Sequence, residues 1–193
     1  MLQAFLVSTS VVALAEIGDK TQLLCLMLAA RFRKPVPIAL GVLTATLANH
    51  AGAGAVGTWL SGVLNPAVLN WAIVASFLFM AGWVLVPERR DAGETAVPKH
   101  ALGIYGTTAI ALFIAEMGDK TQIATIALAA RFHDFFAVVA GTTLAMMIAN
   151  VPVIYLGQRF ADRLPAKTVH VIACLIFVIL GALALKNALL TGR

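Results

Sequence analysis

Hydrophobic residues run along this chain in long unbroken stretches rather than alternating with polar ones. Six such segments follow one another, at roughly 2–30, 36–60, 67–87, 101–130, 134–157 and 168–190. Each meets the roughly 20 residues that a helix needs to span a bilayer. In lipid every backbone polar group must be satisfied internally, which leaves helices or closed barrels. A barrel strand alternates lipid-facing and lumen-facing residues, and these runs do not. The pattern predicts an all-α membrane protein with six transmembrane helices and too few residues left over for a soluble domain.

Two of the stretches are interrupted by charge, at the same place in each. Ala15-Glu16-Ile17-Gly18-Asp19-Lys20-Thr21-Gln22 returns 100 residues later as Ala115-Glu116-Met117-Gly118-Asp119-Lys120-Thr121-Gln122. Between 15–32 and 115–132, twelve of eighteen positions are identical, including Leu28-Ala29-Ala30-Arg31-Phe32 against Leu128-Ala129-Ala130-Arg131-Phe132. Gly41 matches Gly141, and Asn49 matches Asn150 with a one-residue shift that sets His50 against Val151. The halves 1–87 and 101–193 each hold three segments, and 88–100 is a polar linker. An odd number of spans per half turns the second half upside down, giving two inverted three-helix repeats. Secondary transporters commonly have this plan, with the site near the midplane between the repeats.

Composition agrees. Only 12% of residues are charged, against about 25% in soluble domains. The net charge of +5 is spread through short loops, so it marks topology and not a nucleic-acid surface. Arg31, Arg33, Lys34, Arg89, Arg90, Lys99, Arg159, Arg163 and Lys167 fall on one side, and Arg131, Lys186 and Arg193 on the other. The positive-inside rule places the richer side, with the linker, in the cytoplasm and both termini outside. Segment 1 has no basic region before it and carries a charged cluster, which predicts a retained helix and not a signal peptide. Cys25 and Cys174 lie in apolar runs and read as small buried hydrophobes.

Glu16 and Glu116 lie near the middle of their segments, so both clusters belong near the bilayer centre. Each charged residue there costs about 2.5–3.5 kcal/mol, roughly 9 kcal/mol for three. Such side chains must face the bundle interior or a wet cavity. Gly18 and Gly118 allow close helix packing or a local break. A first helix of about 29 residues is about 43 Å long, too long for a core about 30 Å thick unless it tilts or breaks. A break would free backbone carbonyls as ligands.

Each motif has two carboxylates and a lysine, a net of −1. Two motifs together complement one divalent cation. Glu16, Asp19, Glu116 and Asp119, with oxygens from Thr21, Gln22, Thr121, Gln122, Asn49 and Asn150, form an all-oxygen candidate set. Such ligands suit calcium, manganese or magnesium. No His or Cys recurs near both motifs, which disfavours zinc or copper. Crowded carboxylates at low dielectric hold protons when no cation is present, so the same oxygens offer metal–proton exchange.

Two copies of E-x-G-D-K-T, each in the first helix of a three-helix half, resemble the Gdt-type family of membrane cation transporters, whose signature is a doubled E-x-G-D-[KR]-[ST]. The resemblance covers nearly the whole chain. It implies a manganese or calcium transporter, proton-coupled, with Glu16, Asp19, Glu116 and Asp119 as the metal ligands. The chain is similar to the compact bacterial form, which implies manganese export across the inner membrane, with the ion and protons as substrates and neither a catalytic residue nor a resident cofactor.

Other readings stand beside this one. The carboxylates make purely structural pairs if Glu16 bonds Lys20 and Glu116 bonds Lys120, each four residues apart on a helix. Lys20 and Lys120 otherwise tune the acids, occupy the empty site or snorkel away. Thr21, Gln22, Thr121 and Gln122 either coordinate metal or cap a broken helix. Asn49 and Asn150 serve the site or hold helices together. His50 is a packed bundle histidine or handles protons. For the whole protein the rivals are a calcium/proton antiporter, a passive cation channel and an intramembrane metal-dependent hydrolase. No nucleophile or base accompanies both motifs, which disfavours the hydrolase.

Overall fold

The computed structural model describes residues 1–86, 102–156 and 166–191. The linker 88–100 and the basic residues Arg89, Arg90, Lys99, Arg159, Arg163 and Arg193 lie outside them, as does the side chain of Lys167. The described residues form eight helices and are all-helical as expected: α1 Leu2–Glu16, α2 Lys20–Phe32, α3 Pro35–Val63, α4 Pro66–Trp83, α5 Gly103–Glu116, α6 Lys120–Phe132, α7 Phe135–Leu156 and α8 Ala166–Thr191. Four stretches are long and apolar enough to cross a membrane: Pro35–Val63, Pro66–Trp83, Phe135–Leu156 and Val171–Leu190. Segments 2–30 and 101–130 are not single helices. Each is a pair of shorter helices, α1 with α2 and α5 with α6, separated by three non-helical residues at the motif.

Local chemistry sets the other boundaries. Arg33 and His133 adopt left-handed backbone (φ 52° and 53°) and donate their N–H groups to Ala29 O at 2.9 Å and Ala129 O at 3.0 Å. This is the helix stop that leaves the helix axis sharply. Arg31 and Arg131 lie in the last turns that it ends. Pro35 and Pro66 open α3 and α4, where a missing N–H costs nothing. The N-terminal ammonium lies 3.1 Å from Asp134, so the start of α1 and the α6–α7 turn share one end of the bundle. The Ala137 N–H, then that ammonium, hold the Asp134 carboxyl below its ordinary value.

Tertiary packing repeats itself across the halves. α1 packs on α7, α3 packs on α5, and α4 packs on α8. Gly41 of α3 meets α5 so closely that a Cβ there would lie 2.8 Å from Thr108 Cβ and 2.9 Å from Tyr105 O. Gly141 of α7 meets α1 in the same way, 2.7 Å from Phe5 O and 3.2 Å from Ser8 Cβ. Gly57 is pressed against the Ile126 carbonyl of α6. Small residues at crossings let backbones approach where dispersion, not the hydrophobic effect, holds helices together. Phe77 and Phe177, 100 residues apart, face each other with ring centroids at 6.4 Å. Both are fully buried.

Overpacking costs about 1–3 kcal/mol, more than the roughly 1 kcal/mol that alanine gains over glycine in a helix. Gly41→Ala and Gly141→Ala are therefore expected to lower the thermal midpoint in detergent. Gly52 and Gly62 have nothing within 4 Å of an added Cβ, so alanine there should hold or raise it. The reverse ranking would contradict the packing.

Candidate cation site

The two interruptions are built alike. Ile17 and Met117 leave the helix in extended backbone (φ −65°, ψ 121° and φ −62°, ψ 123°). Gly18 and Gly118 follow at φ +84° and +74°, a region that costs other residues roughly 1–2 kcal/mol. Nothing lies within 4 Å of a Cβ on Gly118, so conformation and not space calls for glycine there. The Gly18 N–H donates to Gln22 Oε1, and the Gly118 N–H to Gln122 Oε1, each at 2.9 Å. Of the alternatives open in the sequence, the glutamine amide oxygens act as caps of the break.

Asp19 and Asp119 then occupy the N-cap positions of α2 and α6. A helix N-terminus carries partial positive charge and favours an anion. Thr121 donates to Asp119 Oδ2 through its N–H at 3.3 Å and its hydroxyl at 3.2 Å. Thr21 hydrogen-bonds Glu16 through its hydroxyl, which also lies 3.5 Å from Asp19 Oδ2. Glu16, Asp19 and Asp119 converge, all buried, each offering a carboxylate oxygen within 4.8 Å of the others.

The lysines cross between halves. Lys120 bonds Asp19, and Lys20 lies 3.0 Å from Asp119. This corrects the pairing of Glu16 with Lys20 and Glu116 with Lys120. That pairing needs one continuous helix, and the chain is not helical between the members of either pair.

Glu116 takes a different position. It is buried but outside the three-carboxylate group, accepting from Thr46 Oγ1 at 3.2 Å and Asn49 Nδ2 at 3.3 Å. Asn49 also donates to Phe113 O at 3.1 Å and accepts from Gln122 Nε2 at 3.2 Å. Asn150 instead donates to Met146 O of its own helix at 3.0 Å, and Gln22 Nε2 donates to Ala149 O at 3.0 Å. Among the described residues, Glu16 Oε2 and Asn150 Oδ1 are buried without a hydrogen-bond partner.

Two points escaped the sequence. Thr46 touches Glu116, and its one signal was a hydroxyl one turn before Asn49. The register of the repeat also differs. α3 and α7 run unbroken from Gly41 and Gly141, through Gly52, Gly54 and Pro152. Counting along them pairs Asn49 with Ala149 and His50 with Asn150. The one-residue shift that matched the two asparagines has no bulge or break in which to occur.

Comparison with known proteins adds an independent line. The family model described as "Divalent cation/proton antiporter GDT1" matches residues 4–92 and 104–191. A "Putative manganese exporter" of Vibrio cholerae is 45% identical over 182 residues, covering 94% of this chain and 90% of the relative. A "GDT1-like protein" of Synechocystis is 31% identical over 205 residues, covering 95% and 97%. The "Divalent cation/proton antiporter GDT1" of Saccharomyces cerevisiae is 26% identical over 250 residues, covering 98% and 86%. No solved structure matches the chain.

The crossed pairs are unequal. The Lys120 side chain is 4% exposed and that of Lys20 is 40%. Breaking a buried pair typically costs about 3–5 kcal/mol because the partner charge is left uncompensated. Asp119 keeps its two Thr121 donors if Lys20 is lost, and the exposed end of that pair is screened. Lys120→Met should therefore lower the thermal midpoint in metal-free detergent more than Lys20→Met, and adding Asp19→Asn should restore much of the loss. Equal losses would show that the two pairs are equivalent.

Proposed function

The chain belongs to the GDT1 family of divalent cation/proton antiporters, and on that premise we propose that it exports a divalent cation, Mn²⁺ before others, in exchange for protons. The observation that carries this reading is the convergence of Glu16, Asp19 and Asp119, buried and within 4.8 Å of one another. Three carboxylates at that spacing and low dielectric need positive charge close by. In the structure the lysines supply it. In transport, the ion and protons are alternative occupants of the same oxygens. Glu16 Oε2, with no hydrogen-bond partner among the described residues, is an open position for either. The V. cholerae relative named for manganese export favours Mn²⁺. The all-oxygen carboxylate set also suits Ca²⁺, so a calcium/proton antiporter is the second reading.

The proposed architecture is six spans in two inverted repeats, 1–87 and 101–193, with α1–α2 and α5–α6 each crossing as a broken pair. Three features support it: the equivalent crossings at Gly41 and Gly141, the matching breaks at Gly18 and Gly118, and the start of α1 beside the end of α6. The proposed setting is the inner membrane, with the termini outside and the linker 88–100 in the cytoplasm, in accord with the basic residues. Glu16, Asp19 and Asp119 are the proposed ligands, with Glu116 joining when the contacts from Thr46 and Asn49 release it. Broken helices put helix ends and free backbone groups beside such a site, so that one half rocking against the other exposes it to each face in turn.

Uptake of Mn²⁺ into proteoliposomes, with a pH dye inside, tests this. Metal influx should drive a matching pH change. Glu16→Gln and Asp119→Asn should each remove flux while leaving a folded protein. Metal movement with no linked pH change at any gradient would end the exchange reading, and normal flux in both variants would end the site assignment.

A further inference from the structure

His50 is a buried polar side chain to which the proposed exchange gives no task. It is 1% exposed, and neither ring nitrogen has a hydrogen-bond partner among the described residues. An unmade hydrogen bond to a buried polar group costs about 1–3 kcal/mol, so packing alone does not account for an imidazole here. Its neighbours along α3 reach the carboxylates, while its own ring nitrogens lie outside the group formed by Glu16, Asp19 and Asp119. The preceding residue, Asn49, holds Glu116 and Gln122, and Thr46, one turn earlier on α3, also holds Glu116.

The repeat makes the position informative. Counted from the equivalent crossings at Gly41 and Gly141, His50 of α3 corresponds to Asn150 of α7. Asn150 is also fully buried, and its Oδ1 also has no partner among the described residues. At the same place in both halves, the chain buries a side chain with an unfilled acceptor. One is a nitrogen donor and the other an oxygen donor.

We infer that His50 is a specificity-determining ligand, meeting the transported ion through a neutral ring nitrogen and biasing the site toward first-row transition ions over Ca²⁺ and Mg²⁺. Asn150 is its hard-oxygen counterpart. The inference rests on the cation-transport reading above. Carboxylates alone separate Mn²⁺ from Ca²⁺ poorly, because both ions accept oxygen ligands. An imidazole nitrogen is a ligand for transition ions, whereas Ca²⁺ keeps to oxygen. One histidine among carboxylates thus sets selectivity without making the site a zinc or copper trap of several nitrogens and thiolates.

The test is competition between Mn²⁺ and Ca²⁺ for uptake into proteoliposomes by the wild type, His50→Asn and His50→Val, with pulsed electron paramagnetic resonance of bound Mn²⁺. The wild type should show a nitrogen coupling at Mn²⁺ and a preference for Mn²⁺. His50→Asn should lose the coupling and drop the Mn²⁺:Ca²⁺ preference by roughly tenfold or more, the scale on which metal-site partners act. Ca²⁺ flux itself should persist, which a merely misfolded variant would not allow. His50→Val, which removes every donor, should lower Mn²⁺ flux further. An unchanged preference in His50→Asn, or a nitrogen coupling that survives it, would overturn the inference and leave transport standing. Absence of flux for either ion in the wild type would overturn the transport reading first.

Discussion

Three carboxylates brought within 4.8 Å of one another, out of contact with solvent, are the constraint on which the rest of this molecule depends. Such a group repels itself unless cations, hydrogen-bond donors or protons offset it. The neighbourhood supplies the first two. Lys120 and Lys20 reach across from opposite halves, Thr121 donates twice to Asp119, and Thr21 donates to Glu16. The positive ends of α2 and α6 lie at Asp19 and Asp119, which hold their N-cap positions. The two ammonium groups together carry the charge of one divalent ion, which is why the proposed exchange is set at these oxygens.

The broken helices follow from this requirement. A continuous helix would keep Glu16 and Lys20 on one face and let them neutralise each other locally. The break at Ile17-Gly18-Asp19 turns the lysine toward the other half and leaves the glutamate with the aspartates. The break carries its own cost in freed backbone groups. The chain meets it with the Gly18 and Gly118 N–H bonds to Gln22 and Gln122. Glycine supplies the left-handed backbone and glutamine the missing acceptor, so two of the motif residues are committed to the geometry of the break.

The two halves have nearly the same motif and do not do the same thing with it. Glu16 joins the aspartates, while Glu116 is held by Thr46 and Asn49 of α3. The corresponding stretch of α7 offers Met146 and Ala149 at those positions, and neither has a side-chain donor for Glu16. The difference between the halves is therefore written into α3 and α7 and not into the repeated octapeptide. The same divergence places an imidazole on one side and an amide on the other.

Much of the architecture follows from rules that act along the chain. Continuous apolar runs demand helices, charges in the middle of an apolar run demand an interior, and a glycine inside an over-long helix marks where it breaks. The doubling of Glu16-to-Gln22 as Glu116-to-Gln122 pointed to one place in the bundle. The sequence could not say which lysine meets which aspartate, or that Glu116 stands apart from the other three acids. Those outcomes depend on how α3 and α7 pack between the two broken pairs. Close crossings at Gly41 and Gly141 fix the rotation of each helix, and one residue of register turns a side chain by about 100°. Hydropathy and backbone preference are local quantities and carry no record of that rotation. It is decided only when helices distant in sequence come into contact.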